Sequence, residues 1–337
     1  MTTYYVRKTG NDGDAGTAPS TAWLTVDHAA NTVAAGDVVW IGAGVYRETV
    51  TIDTSGTSGS EIEWRADITG ENTGDAGLVV LTALDAEYVG SGTGHVLNLN
   101  GNTFNEFYDI VFSLAGTDSA NRCIYGGGVN GNYEGIVFDT CVMLGSPRYG
   151  VAAVSMNYFQ PPAITGNQLR IVNCYIDGDM YLGNSTEPTA DRVCGAVVEN
   201  CVIAGLVTVD GPSAGSFGIT GYEFYNNLFT YKGSNAIYIS DQWGTGTIGT
   251  MANNIYLTQE ASAFSITSDG GYWISNSNQK RTDTAETGIF VPCANLFGFM
   301  VDNIFRKNYG WSPYAPFELV YDETGSGFES GGIDQGN

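Results

Sequence analysis

One short strand phrase is written over and over in this chain. It reads Ile171-Val172-Asn173-Cys174-Tyr175-Ile176, then Val198-Glu199-Asn200-Cys201-Val202-Ile203, then Phe224-Tyr225-Asn226-Asn227-Leu228-Phe229. Looser copies stand around Asp109, Thr140, Asn253 and Asp302. The seven aligned positions are 109, 140, 173, 200, 226, 253 and 302, so the steps are 31, 33, 27, 26, 27 and 49 residues. A weaker copy at Trp273-Ile274-Ser275-Asn276 divides the last step into 23 and 26. Strands and Gly-rich turns at such a period, without intervening helices, specify a solenoid. The position after the aligned residue is also repetitive: Cys141, Cys174 and Cys201, then Asn227, Asn254 and Asn303. Like residues recur at one place when successive coils stack on one another. The expected fold is all-β, a right-handed single-stranded parallel β-helix.

The composition agrees. Glycine supplies 46 of 337 residues, about twice the ~7% ordinary share, and charged residues make up only 15%. Many tight turns and much buried strand account for both. Lys plus Arg number 13 against 36 Asp plus Glu, a net charge of -23. Such a field repels nucleic acid, anionic membrane and acidic polysaccharide at long range. Cationic, neutral or metal-bridged partners escape that repulsion. No apolar run reaches the ~18 residues of a membrane span. Met1 to Val6 passes directly into strand without a basic segment and apolar core, so synthesis and folding in a cytosol are expected. Two cysteines at one repeat position in adjacent coils lie ~4.8 Å apart along the stack. A disulfide there is conceivable, but a reducing compartment favours buried thiols. No C-x-x-C or Cys/His metal spacing occurs.

Residues 1–52 are expected to form an N-terminal cap and first coil, 53–305 the β-helix, and 306–337 a C-terminal cap or arm. In the first part, Thr25 is placed to N-cap a short helix with Val26, Ala29, Ala30 and Val33 on its apolar face, ended by Gly36. That helix is the natural lid for an open solenoid end. The order Tyr4-Tyr5-Val6, Gly10-Asn11-Asp12, Gly16-Thr17, Trp23-Leu24-Thr25, Ala35-Gly36-Asp37-Val38-Val39 and Gly44-Val45-Tyr46-Arg47-Glu48 resembles the opening of the right-handed parallel β-helix superfamily. Pectate lyases and many bacteriophage appendage proteins belong to it. The resemblance is close over about fifty residues and continues as periodicity to Phe305. It implies the fold, whereas activity resides in grafted sites.

Catalytic members suggest what to look for. The glycosidase type resembles paired aspartates in Asn-Thr-Asp, Asp-Asp and Gly-His-Gly phrases, which this sequence lacks. Its two histidines, His28 and His95, are expected to be structural. The lyase type uses a basic residue to take the proton alpha to a uronate, usually beside carboxylate-bound Ca²⁺. Arg148, Arg170, Lys232, Lys280 and Arg281 are the candidates, with Arg170 beside Asp177 and Asp179 the best placed. No catalytic residue is assigned. Asn11, Asp12 and Asp14 offer oxygen ligands for Ca²⁺, although Asx-type bonds in a solvated turn explain them as well. Asn173, Asn200, Asn226 and Asn253 are expected to bond coil to coil. Tyr238 and Trp243 flanking Asp241 form a candidate carbohydrate-binding group, against turn packing or a protomer contact.

Three functions follow. The first is a non-catalytic bacteriophage virion protein, an appendage such as a tailspike or a capsid decoration, assembling as a homotrimer with other virion proteins or attaching to bacterial surface polysaccharide. The second is a polysaccharide lyase or glycoside hydrolase acting on that glycan. The third is a carbohydrate-binding module without turnover.

Overall fold

Each coil of the computed structural model visits three parallel sheets in turn. It describes residues 1–83, 94–114, 122–126, 134–145, 154–156, 169–183, 196–210, 220–230, 237–241, 248–252, 254–258, 264–268, 272–276, 279–282, 297–301 and 304–305. The chain divides into two compact units, Met1–Tyr181 and Leu182–Asn337.

In the first unit, the first sheet joins Thr3–Val6, Val38–Ile41, Ile62–Ala66, Asn105–Tyr108, Val137–Asp139 and Leu169–Val172, all parallel. The second joins Gly44–Arg47, Val79–Thr82, Val111–Ser113, Val142–Leu144 and Tyr175–Asp177. The third contains Val50–Thr51, Leu97–Asn98, Ile124–Tyr125 and Val154–Met156. The second unit repeats the plan. Ala196–Glu199, Thr220–Tyr225, Ile248–Ala252, Tyr272–Asn276 and Phe297–Val301 form its first sheet. Its second runs from Val202–Ile203 through Leu228–Phe229, Ile255–Thr258 and Gln279–Thr282 to Ile304–Phe305, and its third pairs Val207–Asp210, Ile237–Asp241 and Phe264–Ser268. Each unit is therefore a parallel β-helix.

Alternation puts every second side chain inside. Trp64, Phe107 and Phe138 are register partners with rings stacked at 6.1 and 5.0 Å, and Phe112 meets Phe107 and Phe138 edge-on. The Trp64 indole donates to Asn105 Oδ1, whose amide donates in turn to the carbonyls of Thr54 and Thr103, so these buried polar groups are satisfied.

The repeated phrase has a backbone cause. Asp109, Thr140 and Asn173 in the first unit, and Asn200 and Asn226 in the second, take φ between 55° and 60°, the left-handed conformation. One such residue turns the chain from the first sheet into the second, and Asn and Asp tolerate it better than most residues do. Asn173, Asn200 and Asn226 are exposed; the Asn173 amide donates to Asp139 Oδ1 of the neighbouring coil, as expected of this column, and Asn253 lies outside the described residues. A second, buried ladder lies one residue further on. Asn227 and Asn254 are buried. Asn227 Oδ1 accepts from the Cys201 backbone, Asn254 Oδ1 accepts from the Asn227 backbone, and their amides donate to the carbonyls of Val198 and Phe224. Cysteine takes that place in other coils: the Cys141 thiol lies 3.4 Å from both the Phe107 and the Asp139 carbonyl, and Cys174 lies 3.1 Å from the Val172 carbonyl and 3.6 Å from that of Phe138, Phe107 and Phe138 being the positions that match Val198 and Phe224. Cys141 and Cys174 align in register, and Cys201 holds the same place in its own unit. Together with Cys123 they are buried free thiols.

Two expectations change in detail. The weak copy at residues 273–276 is one residue out of step: Ala252 pairs with Asn276 and Asn276 with Val301, so the equivalent of Asn253 is residue 277, not Asn276. The cap helix spans Val26–Ala30, shorter than the apolar pattern suggested, because Asn31 caps it before Gly36; Val33 is still buried. Residues 149–153, 157–166 and 184–192 lie outside the described residues, and so does the whole segment 306–337.

Thr140 is the one β-branched member of the left-handed column, and that conformation costs such a residue ~1–2 kcal/mol. Thr140→Asn is expected to raise the thermal midpoint, read by circular dichroism, whereas Thr140→Val should lower it.

Candidate functional site

The outward face of the first sheet in the first unit carries the largest gathering of aromatic and charged side chains among the described residues. Register sets it out: Tyr5, Trp40, Arg65, Tyr108 and Asp139 form one outward file. Val38, Glu63, Glu106 and Val137 form the file two positions earlier along each strand. Strand alternation puts Trp64 and Phe107 inside, so it obliges Arg65 and Tyr108 to face out.

Arg65 organises the face. Its Nε donates to Glu63 Oε2 at 2.6 Å, and its guanidinium lies 4.0 Å from the Tyr108 ring centroid and 6.0 Å from that of Trp40. Both members of the ion pair keep about a third of their side-chain surface exposed, so it contributes little to stability. The Tyr108 hydroxyl donates to Glu106 Oε2 at 2.5 Å. Burial, that hydrogen bond and the Glu106 charge push the phenol well above its ordinary pKa, so it keeps its proton. At the turn, burial and the neighbouring Asp139 charge raise the Asp109 carboxyl, with Arg65 acting against them. The face therefore offers flat rings, the guanidinia of Arg65 and, beyond Val137 in the second file, Arg170, and several carboxylate acceptors. These suit stacking and hydrogen bonding to a polyol; no histidine stands in either file.

The residues singled out from sequence are dispersed. Asn11 Oδ1 accepts from Gly13 N, an Asx turn. Asp12 faces the helix start: Oδ1 accepts from the Leu24 and Thr25 backbones, and Oδ2 from the Thr25 hydroxyl. Burial alone would raise its pKa, but these donors outweigh that and hold it below the usual carboxylate range. Thr25 caps His28 N, and Glu48 receives Val26 N and Asp27 N, so the lid is fastened by side chains. Asp14 contributes its carbonyl to the Trp23 indole. Among the described residues no three His, Cys, Asp or Glu side chains gather closely enough to hold a metal ion.

Arg170 is exposed on the first sheet, whereas Asp177 ends a strand of the second, so the proposed pairing spans two sheets. Tyr238 and Asp241 belong to the strand Ile237–Asp241, but their side chains, with Trp243, Arg148 and Lys232, lie outside the described residues, as do the side chains of Lys280 and Arg281. His28 lies edge-on to Trp23. The Arg65 group escaped sequence reading because its register partners Trp40 and Tyr108 stand 25 residues before and 43 residues after Arg65; aligning the early coils to the repeat would have revealed it.

No protein-family model matches the sequence, and no curated protein matches it significantly. Among solved structures, the chain is similar to a rhamnogalacturonan lyase at TM-score 0.50, with 14% identity, covering 83% of this chain and 74% of that one. Weaker likenesses include a GH136 lacto-N-biosidase from Eubacterium ramulus (TM-score 0.47, 11% identity, 90% and 67% covered) and an alginate lyase from Paenibacillus sp. (0.44, 12%, 84% and 96%). The rhamnogalacturonan lyase likeness bears out the fold, and the class is the parallel β-helix protein.

His95 is buried, stacks on Tyr125 at 4.0 Å and accepts the Arg122 backbone N–H at Nδ1. Burial, aided by the Arg122 charge, pushes its pKa down to about 4. An unfolded histidine at ~6.5 binds its proton first, so this group's contribution is full above pH 6.5 and declines as pH falls toward 4. Denaturant titrations are expected to lose a few kcal/mol over that window, and His95→Gln should flatten it.

Proposed function

We propose that this protein is a carbohydrate-active β-helix protein that holds an extended polysaccharide against the outward face of its first sheet. The supporting observation is the Tyr5, Trp40, Arg65 and Tyr108 file with Glu63 and Glu106 beside it. Aromatic faces pack against sugar rings and carboxylates accept their hydroxyls. Coils ~4.8 Å apart present these contacts as a ladder along which successive sugars can lie. The fold it shares with a rhamnogalacturonan lyase accords with this reading. Of the two cleavage chemistries, hydrolysis fits better than elimination: a lyase must draw in a polyuronate, and a chain of net charge -23 repels one. Incubation with bacterial surface glycans should generate new reducing ends without the ultraviolet absorbance of unsaturated ends. Trp40→Ala should weaken glycan affinity about tenfold. Unchanged affinity in that variant would count against this face.

The virion reading rests on a different observation. On the second sheet, Val45, Val80, Val111, Val142 and Tyr175 are register partners pointing outward, with Val45 54% and Tyr175 40% exposed. A flat apolar file of this kind favours assembly, the homotrimer expected from sequence included. Sedimentation of the wild type as a trimer, and of Val111→Lys as a monomer, would support it; a monomeric wild type at micromolar concentration removes it.

A further inference from the structure

The outward face of the first sheet in the first unit sets four carboxylates, Glu63, Glu106, Asp109 and Asp139, against two guanidinia, Arg65 and, one coil further on, Arg170. Glu63, Glu106, Asp109 and Asp139 stand around Arg65. Arg65 is already engaged, through Nε with Glu63 and over the Tyr108 ring. Asp139 Oδ1 receives only neutral donors, the Asn173 amide and the Thr140 hydroxyl. Arg65 offsets part of the repulsion between Asp109 and Asp139, and a cation brought from outside the protein would offset more. Beside this excess stand Trp40 and Tyr5, half-buried and outward, and an indole is the aromatic face that best attracts a cation.

From this charge complementarity we infer that the face binds a glycan whose sugars carry free amino groups, such as a de-N-acetylated glucosamine polymer. The inference rests on the glycan reading above and names its substrate class. Each ring of such a chain brings an apolar side to lie on Trp40 or Tyr5, and its ammonium brings the charge that Asp109, Asp139 and Glu106 lack. A ring with an acetylated amine keeps the stacking and loses the charge; a uronate keeps the stacking and adds repulsion. The field of a chain at net charge -23 acts in the same sense, gathering polycations from a distance.

The test is calorimetric titration of the intact protein with a glucosamine oligomer, its fully N-acetylated counterpart and a galacturonate oligomer of the same length. It is run at an ionic strength of about 0.01 M, where the Debye length is about 30 Å, and at about 1 M, where it is about 3 Å. The amine oligomer is expected to bind about tenfold or more tighter than the acetylated one at low salt, and the galacturonate weakest. High salt should erase most of the difference. The double variant Asp109→Asn, Asp139→Asn should erase it at low salt while still binding the acetylated oligomer, and Trp40→Ala should weaken both. Equal binding of the amine and acetylated oligomers, or tighter binding of the galacturonate, overturns the amine preference and leaves the glycan reading standing. Failure of all three oligomers to bind overturns both.

Discussion

A parallel β-helix must turn the chain from one sheet to the next in every coil without leaving buried backbone groups unpaired. Here a single left-handed residue makes the first turn, at Asp109, Thr140, Asn173, Asn200 and Asn226. That turn aims the following side chain inward, at the height of the carbonyl two residues before the turn in the coil below. Whatever sits there needs a donor for that carbonyl, and an acceptor helps the next coil. Asparagine supplies both from one amide, as at Asn227 and Asn254; cysteine supplies only the donor. The pairs Asn-Cys and Asn-Asn in the sequence are thus two halves of one device, the first residue for backbone shape and the second for interior bonding.

Much of the fold was legible because that device writes itself into the sequence once per coil. Copies with Asn at the turn, such as those at 200 and 226, fall in register. The copy near Trp273 is out by one because the register position that follows Ala252 and Asn276 is filled by Asn in the first coil and by Ser in the second, which leaves Asn276 as the conspicuous match. A slip of one exchanges inside for outside, so the error is small in count and large in consequence. The buried column beside the turn residues was harder to read as a ladder because it mixes Cys with Asn.

The candidate site was far less legible. Glu106 and Tyr108 lead into the aligned copy at Asp109, but Glu63 and Arg65 belong to an earlier coil without the repeated phrase, so the sequence did not set the two pairs side by side. Only the register of three parallel strands brings a tryptophan, an arginine and a tyrosine into one file. The residues that did attract notice in the sequence, Asn11, Asp12 and Asp14, were conspicuous for polarity in a Gly-rich loop. Asp12 spends that polarity on the N-terminal lid, an ordinary fate for a carboxylate near a helix start.

The fastening of that lid also has a bearing on synthesis. Thr2 N and Ala34 N both reach Asp37, the helix start waits for Glu48, and the Arg7 fork closes on Asp75, 68 residues away. On a ribosome the amino end emerges first, yet its last clasp arrives only when the third strand of the first sheet has already been made. The opening strand must therefore stay unlocked while later ones are translated, and the end of the molecule that is born earliest is among those secured by residues born later.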